Sequence, residues 1–382
     1  MVKSKKVLVA PLDWGLGHAT RCIPIIKLMI ARGAEVIIAA DGRAAQLLKE
    51  EFPALKHIHL RGYRIRYSKT FAMALMIALQ IPKIVLSVIR EHSALKKIIL
   101  DEQPDVVISD NRFGLCLTPN PRPASPSFGV TSPKERGASS EPTTIFITHQ
   151  LMVKCPQGLK FLEPIIHRII LFFIKKYDEC WIPDVADEKN LSGDLSHKYP
   201  LTANAKFIGW LSRFHSEKII SAQKKYDLLV LLSGTEPQRT VLEEILTEQI
   251  QETNYKTLIV RGVTEKQKQF IHQNNLTTVS HLNSKELFAA INESETIICR
   301  PGYSTLMDLA ATGKKAILIP TPGQTEQEYL SEELWKKNIF RSSSQNNFML
   351  DDALKEVGAM KTLEKEFFRS ELENSVNELL KK

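Results

Sequence analysis

Lys6–Ala40 reads KVLVAPLDWGLGHATRCIPIIKLMIARGAEVIIAA, and the order of its parts decides the fold. Lys6–Pro11 (KVLVAP) is a short apolar run that ends in a loop with two glycines. From Ala19 to Arg32 the apolar residues Ile23, Ile26, Leu28 and Met29 recur at helical spacing. Glu35–Ala40 (EVIIAA) is a second apolar run of strand length. Strand, helix and strand within about 35 residues make a βαβ unit, whose crossover requires parallel strands in a buried sheet. Further strands are predicted at His57–Leu60, Asp105–Ser109 (DVVIS) and Thr144–Thr148 (TIFIT), with helices between them.

The rhythm then restarts. Tyr226–Ser233 (YDLLVLLS) reads as a first strand and Val241–Glu252 as a helix; Lys256–Val260, Glu295–Cys299 and Lys315–Pro320 continue the series. Two such series in 382 residues predict an α/β protein with two Rossmann-like doubly wound domains facing a cleft. The expected domains are 1–206 and 226–382, joined by a linker at 207–225, with the last helix packing back on the first domain. Thr118–Pro142, rich in Pro, Ser and Gly and without periodicity, is expected to be a disordered insertion.

The formal charge is +8, with 43% apolar and 25% charged residues, as in an ordinary soluble globular protein. A basic surface suits nucleotide phosphates, nucleic acid or an anionic membrane. No interleaved basic and aromatic motif supports nucleic acid as a partner. The five cysteines, Cys22, Cys116, Cys155, Cys180 and Cys299, show no CxxC spacing, which argues against zinc or a disulfide framework and for a reducing compartment. No signal-peptide core follows the basic start, and no apolar run reaches the roughly 18–20 residues of a membrane span. A cytoplasmic location is expected, with the inner membrane face as an option. Phe71–Ile89 and Leu159–Lys176 are apolar stretches punctuated by Lys and Arg, and fit either buried helices or a membrane interface.

Four loops at strand ends carry chemistry. Gly15-Leu16-Gly17-His18 follows the first strand; glycines there let a ligand approach the backbone, and His18 either takes a proton near neutral pH or merely caps the helix. A dinucleotide fingerprint competes for the same loop, with Asp41 placed for a ribose, although Thr20 stands where its third glycine belongs. Ser233-Gly234-Thr235 can hold a phosphate through amides and hydroxyls. Cys299–Asp308 (CRPGYSTLMD) runs from a buried strand through a Pro-Gly turn into a helix whose amino end suits a diphosphate. Asp308 falls on the face of Thr305 one turn on, either to accept ribose hydroxyls or as a solvated residue. Ile317–Gln327 ends a strand in a polar loop where Gln324, Glu326 and Gln327 suit sugar hydroxyls or simply face solvent. Asp110-Asn111-Arg112 and Thr148-His149-Gln150 follow strands of the first domain and either meet an acceptor or cap strand ends.

The Gly-x-Gly-His loop, the RPGYST–helix–Asp block and the PTPGQTEQ loop together resemble GT-B glycosyltransferases of family 28, of which the MurG-type N-acetylglucosaminyltransferases are the best-known relatives. The resemblance spans both halves of the chain and is most specific at 299–329. It implies transfer of a hexose or N-acetylhexosamine from a nucleotide sugar, with UDP the expected nucleotide, to a lipid, glycan or small-molecule acceptor. It implies no cofactor and no essential metal. His18 matches the histidine of the family's first loop. Gly234 and Thr235 match the diphosphate loop; Arg300, Gly302 and Thr305 match the diphosphate-facing helix start. Asp308 matches a ribose-binding acid that is usually glutamate, Gln327 a donor-sugar contact, and Leu282 the segment that holds the base. Gly15, Gly17, Ser233, Ser304 and Gln324 complete the expected donor side, and Asp110, Asn111, Arg112 and His149 the acceptor side. This sequence has Glu328 where MurG-type enzymes carry the second glutamine of a pair. A GT-B epimerase acting on UDP-N-acetylglucosamine and an NAD-dependent dehydrogenase are the alternatives.

Overall fold

The computed structural model describes residues 4–63, 73–116, 141–214, 217, 223–263, 267–361 and 370–381. Most of the Thr118–Pro142 stretch, the start of the Phe71–Ile89 stretch and most of 215–222 lie outside the described residues.

The first sheet contains β1 (Lys6–Pro11), β2 (Glu35–Ala40), β3 (Lys56–His59), β4 (Val106–Asp110), β5 (Thr143–Ile147), β6 (Glu179–Ile182) and β7 (Ala205–Phe207). Their order is β3-β2-β1-β4-β5-β6-β7, all parallel. The second sheet contains β8 (Tyr226–Leu231), β9 (Thr257–Val260), β10 (Phe270–Gln273), β11 (Leu276–Val279), β12 (Ser294–Cys299), β13 (Lys315–Leu318) and β14 (Arg341–Ser342). It runs β10-β11-β9-β8-β12-β13-β14, parallel except for the β10–β11 pair. Among the parallel strands each order reverses at one place, between β1 and β4 and between β8 and β12. Ligands of open α/β sheets bind at the carboxyl ends of strands beside such a switch.

The first helix is Leu16–Ala31, three residues longer at its start than the apolar spacing indicates. Gly15, at φ 92°, turns the chain directly into it, so Gly17 and His18 belong to its first turn. Its inner face buries Ala19, Cys22, Ile23, Ile26 and Met29 against Val7, Val9 and Ile38. Each of the isoleucine and methionine side chains contributes about 1.5–3 kcal/mol by leaving water. The helix Tyr303–Thr312 is built as the sequence indicates, from an amino end at Gly302 to a left-handed Gly313.

β7 runs through Phe207, one residue into the stretch expected to be linker. Trp210, Leu211 and Phe214 after it join an apolar cluster with Tyr303, Met307 and Leu330 of the second domain. The helix Ser370–Lys381 returns to the first domain: Leu372, Val376 and Leu379 are buried, and Arg32–Glu373 (3.5 Å) and Lys206–Glu378 (3.3 Å) flank them. Among the described residues no helix is long and apolar enough to cross a membrane.

Candidate functional site at the domain junction

The carboxyl ends of the two sheets face each other, and the helices Leu16–Ala31 and Tyr303–Thr312 meet amino end to amino end. The Ser304 hydroxyl donates to the Gly17 carbonyl at 2.7 Å. A Cβ on Gly17 would lie 3.0 Å from Ser304 Oγ, so only glycine permits this approach without displacement. Neither helix has a side-chain cap or an acid in its first turn, which leaves their amide ends available to an anion.

His18 lies at the end of β4 beside Asp110. Its Nδ1 is 2.8 Å from Asp110 Oδ1. Arg21, one turn along the same helix, forks onto Asp110, with Nε 2.5 Å from Oδ2 and Nη2 against Oδ1. Burial pushes the Asp110 carboxyl up, but Arg21 and then His18 outweigh it and hold it at about 2. His18 Nδ1 also lies 2.9 Å from Arg21 Nη2, so it stands between a donor and an acceptor; with Nδ1–H donated to the Asp110 carboxylate, its Nε2 keeps the lone pair.

His149, after β5, bridges the domains. Its Nδ1 is 2.9 Å from Arg21 Nη1 and its Nε2 is 2.8 Å from Glu326 Oε1. Its ring stacks on Tyr303 with centroids 4.1 Å apart and planes 1° from parallel. Burial pushes this imidazole down, against the hydrogen bond and charge of Glu326. Burial also pushes Glu326 up, but His149 and the charges of His18 and Arg21 bring it below the ordinary carboxylate range. Tyr303 donates to the Pro183 carbonyl at 2.9 Å and Thr325 to that of Lys154 at 2.6 Å, closing the junction on either side.

Several expected site residues turn inward instead. Arg300 is fully buried: Nη1 donates to the Ile319 and Pro320 carbonyls (3.0 Å each), and Nη2 to the Gln238 carbonyl (2.9 Å) and Gln345 Oε1 (2.5 Å). It therefore ties together the loops around the expected diphosphate position rather than presenting its charge there. Among the described residues no carboxylate accompanies it, and burial lowers it to about 10. Asp308 is buried too. Its Oδ1 accepts from Ser212 Oγ (2.7 Å) and the Arg213 amide (3.3 Å), its Oδ2 from Arg213 Nε (2.9 Å), so it fastens the linker to the helix. Arg112 is committed to the Pro11, Leu60 and Arg61 carbonyls and to Glu91, inside the first domain. Asn111 sits at φ 54° beyond β4. Gln327 accepts the Thr321 amide at 2.8 Å and so shapes the loop after β13. Asp41 caps the helix Gly42–Glu51 through the Gly42 amide and meets His59 and the Gly62 amide, which occupies both oxygens a cofactor ribose would need.

Ser233, Gly234 and Thr235 form the turn after β8, with Gly234 at φ 101° and the first two exposed. Gly302 and Thr305 are partly open at the helix start, Gln324 precedes the helix Thr325–Lys336, and Leu282 lies half-buried beyond β11. Sequence reasoning assigns no role to Arg21 or Tyr303, and Glu326 enters only as one of three polar residues in a loop. One available signal for Arg21 was its place on the buried stripe of the first helix, one turn after His18.

Residues 228–381 match the glycosyltransferase family 28 C-terminal domain, and residues 6–118 match glycosyl transferase family 1. No curated protein matches at the sequence level. Among solved structures, the glycotransferase of kitacinnamycin is similar at TM-score 0.59 and 12% identity, over 99% of this chain and 95% of that one. MurG of Acinetobacter baumannii is similar at TM-score 0.54 and 11% identity, over 99% and 100%. The spinosyn rhamnosyltransferase SpnG, solved with thymidine diphosphate, is similar at TM-score 0.57 and 12% identity, over 98% and 95%.

Proposed function

We propose that this chain, a glycosyltransferase of the GT-B fold with a family 28 C-terminal domain, moves a hexose or N-acetylhexosamine from a UDP-linked donor to an acceptor hydroxyl, with inversion and without an essential metal. The observation that carries the proposal is the facing of His18, oriented by Asp110, and the uncapped helix start at Gly302–Thr305, held together by the Ser304–Gly17 hydrogen bond. His18 Nε2 takes the proton of the acceptor hydroxyl as that oxygen attacks the anomeric carbon from the face opposite the diphosphate. The amides of Tyr303–Thr305 and the Ser233–Thr235 turn meet the charge on the leaving diphosphate, a preorganised field that needs no reorientation during the reaction. The thymidine diphosphate in the spinosyn enzyme supports a pyrimidine nucleotide. Thermal-shift screening with UDP, GDP, dTDP and their sugars tests the donor. A His18→Ala variant is expected to lose about 100- to 10,000-fold in kcat; turnover near that of the unmodified chain removes His18 from this role.

A lipid-linked acceptor at an anionic membrane face is the second part of the proposal. Its support is an apolar surface on the first domain: Phe161 is 69% exposed and Phe172 59%, beside Ile165 and Ile169. Val85, Leu86 and Ile89 lie exposed on the helix Met73–Glu102, which packs on the same Phe113–Cys116 segment as Phe173. Lys83, Arg90, Lys160, Arg168 and Lys175 are exposed among them, and each basic residue near an anionic surface contributes about 1 kcal/mol. Co-sedimentation with phosphatidylserine vesicles at low salt, lost in a Phe161→Asp/Ile165→Asp double variant, is the expected result. No binding by the unmodified chain ends the idea.

A further inference from the structure

We infer that Arg21 is a positioning residue whose single buried guanidinium sets the proton positions of two histidines and links the base at His18 to Glu326 on the opposite domain. The inference rests on His18 being the base. Arginine has no lone pair, so where Arg21 Nη1 meets His149 Nδ1 at 2.9 Å the imidazole accepts. The ring proton of His149 is therefore on Nε2, from which it donates to Glu326 at 2.8 Å. The other edge of the guanidinium carries Asp110 on Nε and Nη2; Nη2 also lies 2.9 Å from His18 Nδ1, and in the tautomer that leaves Nε2 free to act as base the Nδ1 proton goes to Asp110. An unbroken chain runs from Glu326 through His149, Arg21 and Asp110 to His18.

His149 is the joint of that chain. The second domain touches it twice, through Glu326 at its edge and Tyr303 on its face, and both contacts exist only while the domains are together. Arg21 Nη1 thus rests on a ring that domain docking holds still, and its Nε and Nη2 hold the carboxylate that aims the base. A lysine would keep the charge but lacks the planar fork that serves both partners. The charged and titratable groups facing His18 are Asp110 from β4, Arg21 from its own helix, His149 after β5 and Glu326 from the helix Thr325–Lys336.

Steady-state kinetics on the full chain, with donor and acceptor, test this. Arg21→Lys is expected to lower kcat about 100-fold, the effect of misplacing a catalytic group by about 1 Å, with donor KM within about 3-fold. The acid limb of its kcat/KM profile stays where the unmodified enzyme has it, because the charge is retained. In Arg21→Gln that limb moves up by about 1–2 pH units, because Asp110 then acts on His18 unopposed. His149→Gln keeps one acceptor and one donor and retains kcat within about 5-fold, whereas His149→Phe keeps the stack on Tyr303, loses both bonds and falls about 10- to 100-fold. Arg21→Lys with unaltered kcat overturns the inference, as does a His149→Phe variant indistinguishable from His149→Gln. The His149 pair decides if the Arg21 variants do not fold. Loss of turnover in His18→Ala alongside full activity in Arg21→Lys overturns the role of Arg21 alone and leaves the proposed function standing.

Discussion

Gly17→Ala separates domain closure from helix stability, because the two respond with opposite sign. Gly17 lies in the first turn of Leu16–Ala31, without a positive φ, so alanine is accepted by the backbone and favours the helix by up to about 1 kcal/mol. Across the junction the same methyl would stand 3.0 Å from Ser304 Oγ and 3.5 Å from Ser304 Cβ. Ser304 must give by a few tenths of an ångström, which strains its 2.7 Å bond to the Gly17 carbonyl toward loss. Overpacking costs about 1–3 kcal/mol, and loss of one hydrogen bond about 0.5–1.5 kcal/mol. Together these make about 1.5–4.5 kcal/mol, so at 1.4 kcal/mol per decade turnover that needs the closed junction falls about 10- to 1,500-fold. Small-angle scattering should show a larger radius of gyration, while helical circular dichroism is retained or slightly increased. Ser304→Gly in the same chain removes the obstacle, so a double-mutant cycle on kcat/KM should give a coupling of about 1–2 kcal/mol. A coupling within about 0.3–0.5 kcal/mol of zero, the range of independent sites, refutes the contact as a determinant of closure.

Asp110→Asn leaves the Arg21 charge buried without its counter-ion and should cost about 3–5 kcal/mol in a urea titration. The unmodified chain should show a related acid effect: with Asp110 held at about 2, its ionised form contributes about 2–3 kcal/mol above pH 4, and this is lost as pH falls from about 4 through about 2. Asp308→Asn should lower Tm in the absence of nucleotide, since two Arg213 contacts and one from Ser212 lose their charged acceptor; an unchanged Tm with weakened nucleotide binding would return Asp308 to the ribose.

Most strands buried on two faces were legible, because a parallel strand covered by helices is a continuous apolar run. VLVAP, EVIIAA and ETIIC announce themselves in this way. The four-residue β6 (ECWI), buried but short and headed by an acid, does not. β10 (FIHQ), exposed along its whole length, and the two-residue β14 leave no such run. The loops of the site were legible for the same reason, since they begin where the runs stop. The direction of individual side chains was not. Arg300, Asp308 and Gln327 occupy the anticipated loops, but their polar groups satisfy backbone and linker groups that a turn leaves bare, a need set by local folding rather than by spacing. Arg21 meets Asp110 across 89 positions, and His149 meets Glu326 across 177. No periodicity carries information over such distances; the packing of the first helix on β4 creates the first pair, and the docking of one domain on the other creates the second.

The signs of the charges at the junction fit a glycosyl transfer better than simple nucleotide capture. As the bond to the diphosphate breaks, the sugar ring gains positive character and the leaving group gains negative charge. A site tuned only to hold a nucleotide needs the second half of that field. Here the amino ends at Gly15 and Gly302 supply it, each equivalent to about half a positive charge and neither neutralised by an acid in its first turn. Asp110 and Arg21 cancel one another within the first domain, and His149 is held neutral by burial, which leaves the Glu326 carboxylate as the net charge of the network. That negative charge is placed on the amino end of Thr325–Lys336, the helix that follows the β13 loop, and it joins the network only through the docked His149. Docking therefore adds the Gly15 amino end of the first domain to the Gly302 end and the Glu326 carboxylate of the second, so that the assembled field runs from helix amino ends to a carboxylate, the direction in which charge separates along the reaction.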